Sequence, residues 1–129
     1  MSKNITIFLG ILVAITLPTI LQADEISQPP SPKIEYQLLA NSIGTAYQTQ
    51  IPLMKRIIAC ESSYSTTATK ITKWEQSYGL VQLNLLAHKD ITKEEAENPT
   101  FAITYLAKNL KEGNGNMWTC YRNEKNRRV

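Results

Sequence analysis

The sequence predicts an α+β domain, predominantly helical, with a small β or irregular insertion between its second and third helices. Three observations lead there. Apolar residues recur at 3- and 4-residue spacing in separate segments between residues 33 and 111. Helix-start chemistry stands in front of those segments, as Ser-Pro, Thr-x-x-Glu and Asn-Pro. Between them, Ser62 to Thr72 is dominated by serine and threonine, a composition that suits loop or strand better than helix. A chain of 129 residues holds one such domain. It is too short for a TIM barrel, or for a Rossmann domain with a substrate domain beside it.

Residues 1–23 read as an export signal: Lys3 supplies the positive start, Ile5 to Leu17 are largely apolar, Pro18 breaks the run, and Ala23 ends it before Asp24. A short membrane anchor is the competing reading, but the apolar stretch falls short of the roughly 20 residues a span needs. Residues 24–32 form a proline-rich linker, with Pro29, Pro30 and Pro32. The folded domain is expected over 33–121, with a solvated basic tail over 122–129 that carries Arg122, Lys125, Arg127 and Arg128.

Within the domain, Pro32 behind Ser31 opens a first helix over 33–49, with Leu38, Leu39, Ile43 and Ala46 in helical spacing and Gly44 as its weak point. A second helix runs from Pro52 to about Ser62, placing Leu53, Ile57, Cys60 and Glu61 on one face. The stretch from Ser63 to Asn84 is the insertion. Thr92 and Glu95 form a capping box for a short helix, and Asn98 caps the next with Pro99 at its first position. That last helix is expected to bury Phe101, Ala102, Tyr105, Leu106 and Leu110, to expose Lys108 and Lys111, and to stop at Gly113.

Charge and cysteines narrow the function. Lys and Arg total 14 against 11 acidic residues, a net charge of +3, which suits an anionic envelope polymer and is too weak for nucleic acid. Cys60 and Cys120 are the only cysteines, and export into an oxidising compartment favours a disulfide between them. Two buried thiols are the alternative. A metal site has little support, because His88 is the only histidine and no zinc-ligand spacing surrounds the cysteines. No metal or other cofactor is expected, and His88 reads as structural.

Glu61 carries the candidate chemistry. It ends an apolar helix face, and a carboxyl against apolar walls resists ionisation, as a general acid requires. Glu61-Ser62-Ser63-Tyr64, followed by Ser77-Tyr78-Gly79-Leu80-Val81-Gln82-Leu83-Asn84, resembles the lysozyme superfamily and, within it, the soluble lytic transglycosylase family. The Glu-Ser pair and the later Gly-hydrophobic-any-Gln segment carry the resemblance, which spans residues 52–110. It implies a lysozyme-like fold with Glu61 as general acid and base, acting as a monomer on the β-1,4 bond of peptidoglycan glycan strands. It implies an exported enzyme without a stable membrane span once the signal is removed. Ser77, Tyr78, Gly79 and Gln82 would bind the sugars, and Trp74 and Trp118 are candidates for stacking on them or for core positions.

Two departures matter. The c-type lysozymes carry Asp before the Tyr-Gly pair, where this chain has Ser77. A retaining hydrolase needs a second carboxylate, and the contrast between the two routes is that of lysozyme itself. Asp24 and Asp90 lie outside the segment, which leaves Glu75 as the candidate, on the same face as Ser77 if that stretch is extended; the favoured reading of Glu75 is a solvated loop acid. One carboxylic acid suits the transglycosylase, whose nucleophile is the sugar's own 6-hydroxyl. A lysozyme-type hydrolase and a catalytically weak peptidoglycan-binding module are the alternatives. The transglycosylase Ala-Tyr-Asn-x-Gly motif is also missing, and Tyr121 is expected to replace its Tyr beside Glu61.

Overall fold

A computed structural model describes residues 31–127. The expected signal, 1–23, and residues 24–30 of the linker lie outside the described residues. The described residues form an α+β domain, about 59% of them helical, with one three-stranded antiparallel sheet among them.

Helix α1 (Pro32–Tyr47) begins at Pro32 behind Ser31, as its proline predicts, and ends two residues before Thr49. Gln48 takes a left-handed conformation there (φ 55°), and its N–H closes onto Gly44 and Thr45 carbonyls. Gly44 is buried against the next helix: a Cβ on it would stand 2.6 Å from Ile51 Cγ1. The residue that weakens α1 locally is thus the one that admits its neighbour. Helix α2 (Ile51–Ser62) buries Leu53, Met54, Ile57 and Ile58. Met54, Ile57, Ile58 and Glu61 follow i, i+3, i+4, i+7, so the apolar stripe does run into the carboxylate. Cys60 is off that stripe and exposed, correcting its expected place on the buried face.

The insertion folds into β1 (Thr69–Ile71), β2 (Gln76–Tyr78) and β3 (Leu83–Asn84), in order β1-β2-β3. Register pairs Lys70 with Ser77 and Ser77 with Asn84 across the sheet. Side-chain hydrogen bonds tether it to the helical part. Ser62 Oγ donates to the Leu80 carbonyl at 2.8 Å, and Trp118 Nε1 donates to the Val81 carbonyl at 2.8 Å.

Helix α3 (Lys93–Glu97) carries the predicted capping box in full, with Thr92 and Glu95 exchanging hydrogen bonds. Helix α4 (Pro99–Lys111) is capped by Asn98 Oδ1, which accepts from Phe101 N–H at 3.0 Å. Its fully buried residues are Ala102, Ile103, Leu106 and Ala107, while Phe101, Tyr105 and Leu110 are only half-buried. The apolar axis of α4 is therefore rotated from the expected one, because α1 packs along this helix as well. Met54, Ile57 and Ile58 of α2, Leu80 and Leu83 of the insertion, and Ile103 and Leu106 of α4 form the fully buried centre. Each such side chain contributes about 1.5–3 kcal/mol.

The C-terminal segment is more ordered than expected. After a 3-10 turn (Gly115–Met117), helix α5 (Thr119–Asn126) runs through the boundary expected at Tyr121. Its basic residues are largely exposed, as predicted, but it is not an unstructured tail. The Cys60–Cys120 disulfide and an Arg56–Glu124 ion pair (3.0 Å) fix it to α2. His88 lies in a turn with Nδ1 3.2 Å from the Tyr105 hydroxyl, a structural contact. No helix among the described residues is long and apolar enough to cross a membrane.

Gly79 shows how tightly the insertion packs. Its φ is +76°, and a Cβ would fall 2.0 Å from the Ala96 carbonyl oxygen of α3. Gly79→Ala combines a disfavoured backbone conformation with a backbone clash. We expect it to cost about 3 kcal/mol, read as a drop in the chemical-denaturation midpoint. A change below about 0.5 kcal/mol would contradict this packing.

Candidate active site

A cleft of about 400 Å³ opens where the end of α2 meets the sheet and the 3-10 turn. Glu61 lines it from α2, Thr72, Trp74, Glu75, Ser77, Gln82 and Asn84 from the insertion, and Met117, Trp118 and Thr119 from the C-terminal segment. Three stretches distant in sequence supply it. The two tethers from Ser62 and Trp118 hold them together.

Glu61 is half-buried, and its Oε1 accepts the backbone N–H of Cys120 at 3.1 Å. That amide lies in the first turn of α5, where N–H groups lack intrahelical partners and the helix dipole favours an anion. The disulfide joins the residue before Glu61 to the residue whose amide binds it. Burial dominates the electrostatics and pushes the Glu61 carboxyl above the ordinary glutamate range. The Cys120 N–H opposes that shift, Glu75 reinforces it, and Lys70 and Arg122 oppose it more weakly. One oxygen is thus held by the protein, and the group keeps its proton to higher pH than a solvated glutamate does. A carboxylate cap for α5 is the plain structural use of this residue. A cap favours ionisation, whereas burial here works against it.

Glu75 is half-buried at the cleft wall, which corrects its expected place as a solvated loop acid. Its Oε2 stands 2.7 Å from Lys70 Nζ, and its Oε1 accepts from Ser77 Oγ at 2.8 Å. The register explains the cluster. Lys70 and Ser77 are cross-strand partners, and Glu75 lies two residues before Ser77 on the same face. The Lys70 ammonium, and then the Ser77 hydroxyl, hold the Glu75 carboxyl below the ordinary range. The two carboxyls of the cleft are therefore pushed apart in acidity.

The other expected site residues divide between the two sides of the sheet. Ser77 is fully buried and reaches the cleft through its hydroxyl. Gln82, in a left-handed conformation (φ 49°), donates its amide to the carbonyls of Ala68 and Gly79, both at 3.0 Å. Both amide hydrogens are thus engaged, leaving the Gln82 carbonyl for a ligand. Tyr78 is not part of the cleft: strand alternation turns it to the opposite face, where its ring lies 5.5 Å from Lys93 Nζ. Gly79 faces α3, so its missing side chain serves helix packing and not sugar approach.

Tyr121 also departs from expectation. It lines a separate depression with Gln48, Leu53 and Leu110, and its ring stacks closely on Gly115. Helix α5 turns it away from Cys120 and the Glu61 side. Of the two tryptophans, Trp118 is 3% exposed and committed to the core, and Trp74 is 78% exposed at the cleft mouth with Lys73 Nζ 4.8 Å from its ring.

Sequence reasoning missed Thr72, Asn84, Met117 and Thr119. Only Asn84 carried a signal, as the polar end of the segment that includes Gln82. Among the described residues, no group of three or more His, Cys, Asp or Glu side chains is placed to hold a metal ion. No family model, curated protein or solved structure matches this chain.

Proposed function

We propose that this chain is a peptidoglycan lytic transglycosylase of lysozyme-like architecture, with Glu61 as its general acid and base. One observation carries the reading. A half-buried carboxyl, fixed through one oxygen by Cys120 N–H, stands in a polar cleft between a helix end and a small sheet. Such a group holds a proton for a leaving oxygen, and it is oriented before substrate arrives. The Glu-Ser and Gly-Leu-Val-Gln segments that carry the family resemblance meet at this point through the Ser62–Leu80 hydrogen bond.

The reaction follows from that group. Glu61 gives its proton to the glycosidic oxygen between MurNAc and GlcNAc. The C1–O bond breaks, its electron pair going to that oxygen and leaving oxocarbenium charge at C1. Glu61, now ionised, takes the proton of the muramoyl 6-hydroxyl as O6 bonds to C1. The products are a 1,6-anhydro-MurNAc end and a free GlcNAc hydroxyl, and Glu61 is protonated again. Action outside the cytoplasm is consistent with one feature of the domain: a disulfide staples it, as an oxidising envelope compartment allows.

Mass spectrometry of digested peptidoglycan tests the reading. Anhydro ends support it, and reducing ends would replace it by a lysozyme-type hydrolase. That second reading is favoured by one observation, the second carboxylate at Glu75. Binding to insoluble peptidoglycan without release would instead mark a catalytically weak binding module. Trp74, exposed at the mouth, is proposed to stack on a sugar face. Trp74→Ala is expected to weaken glycan binding about 10-fold, measured by titration with soluble glycan strands. Unchanged affinity would remove Trp74 from the site.

A further inference from the structure

We propose that Thr119 binds substrate in the cleft, its hydroxyl turned by Arg122 into an obligate hydrogen-bond donor for an acetamido carbonyl of the glycan. This rests on the reading of the cleft as a peptidoglycan site. Thr119 opens α5 and lines the cleft beside Met117 and Trp118. Its Oγ1 accepts a hydrogen bond from Arg122 Nη2 at 2.8 Å. A threonine hydroxyl has one hydrogen to give, and a guanidinium is only a donor, so that hydrogen has no use toward Arg122. Among the described residues the hydroxyl makes no other hydrogen bond. Its hydrogen is left for a ligand, and the guanidinium charge polarises the O–H bond that carries it.

Arg122 makes the position firm. It lies three residues after Thr119, which puts the two on one face of α5. Its other arm, Nη1, donates to the Asn116 carbonyl in the 3-10 turn. One planar fork thus joins both pieces of the C-terminal wall, the turn that carries Met117 and the helix that carries Thr119. Arg122 is exposed, so these bonds fix a local geometry and contribute little to overall stability. Cys120, next in the chain, gives its N–H to Glu61. The same turn of α5 that orients the acid therefore presents the Thr119 hydroxyl. Arg122 is a positioning residue, acting through Thr119.

The partner atom follows from matching. Sugar hydroxyls both give and take hydrogen bonds, and ether oxygens accept weakly. An acetamido carbonyl is a strong acceptor with no hydrogen of its own, and each sugar of a peptidoglycan strand carries one. An obligate donor fits that group best. Arg122 has a second effect. With Cys120 N–H from the same helix, Lys70 from β1 and Glu75 from the β1–β2 connection, it faces Glu61, and its charge favours the ionised form. Removing that charge lets Glu61 keep its proton longer, so the alkaline limb of activity moves slightly upward in pH.

The test titrates soluble glycan strands, N-acetylated or chemically de-N-acetylated, into the full chain carrying Glu61→Gln so that they are not cut. Adding Thr119→Val, which keeps the shape and removes the hydroxyl, is expected to weaken binding of N-acetylated strands about 10-fold. Binding of de-N-acetylated strands should not change. Thr119→Ser is expected to recover most of the loss. Arg122→Met should weaken binding of N-acetylated strands, and combining it with Thr119→Val should lose no more than Thr119→Val alone. In the otherwise wild-type enzyme, Arg122→Met should shift the alkaline limb upward, whereas Arg122→Lys, which keeps the charge without the fork, should not. Additive losses in the combined variant would overturn the action of Arg122 through Thr119. Unchanged binding in Thr119→Val, or an equal loss on both kinds of strand, overturns the proposal, and the reading of Glu61 stands as long as Glu61→Gln is inactive. Equal losses in Thr119→Val and Thr119→Ser, with matching falls in melting temperature, would make Thr119 structural and overturn it too. Full turnover by Glu61→Gln would instead remove the reading of the cleft itself.

Discussion

Glu61→Gln is expected to lower muropeptide release by about 10³-fold while leaving the fold intact. The substitution keeps the shape and the Oε1 acceptor for Cys120 N–H, and removes only the transferable proton. Stability should respond in the opposite direction to activity. Burial raises the folded pKa of Glu61, so between the unfolded and folded values the native state binds more protons than the unfolded chain. Its contribution to stability is therefore fully present below the unfolded pKa and is lost as pH rises through the folded one. A neutral amide carries no cost of burying a charge, so at pH above the folded value the variant should melt at or above the wild-type temperature. Thermal melts at acid pH and at pH above the folded value, alongside muropeptide release, check both halves. Wild-type turnover in Glu61→Gln would end the assignment. A large loss of stability at pH above the folded value would instead show that the carboxylate serves mainly as the cap of α5.

Replacing Cys60 and Cys120 together by Ser should have the second-largest effect. The bridge spans 60 residues, and closing such a loop restricts the unfolded chain by about 4 kcal/mol. For a domain whose total stability is on the order of 5–15 kcal/mol, that is a large share. It corresponds to a fall of roughly 20 °C in melting temperature. Activity should also fall at temperatures where the variant is still folded, because the bridge holds the Cys120 amide against Glu61. Calorimetry of the double variant, with turnover measured well below its midpoint, separates the two effects. A melting temperature within about 2 °C of wild type would show that the Arg56–Glu124 pair and core packing fix α5 without it.

Much of the fold was legible because its signals are local. Proline at the start of α1 and α4, the Thr92–Glu95 box and the Asn98 cap act within three or four residues, where chain connectivity already brings donor and acceptor together. The change from helical spacing to a Ser- and Thr-rich stretch marked the sheet for the same reason. The cysteines were legible by number, since two of them allow a single pairing within the chain. The helical phase of α4 was not: which residues it buries depends on α1, whose packing no local pattern encodes.

The candidate site divides along the same line. That Glu61 ends an apolar stripe, and that a polar segment follows some fifteen residues later, is written in the chain order. Which side chains enter the cleft is set by register and by partners remote in sequence. Pairing of Lys70 with Ser77 turns Ser77 inward and Tyr78 outward, and places Glu75 between an ammonium and a hydroxyl. Docking of α5 brings the Cys120 amide to Glu61 across 59 residues, and the same helix carries Tyr121 to another face. Trp118 and Trp74 have the same chemistry in the sequence, yet one finds the Val81 carbonyl in the core and the other finds solvent at the cleft mouth. Residue type and spacing determine what each group can do. Only the packed arrangement determines what it faces, because desolvation and hydrogen bonding act through space and not along the chain.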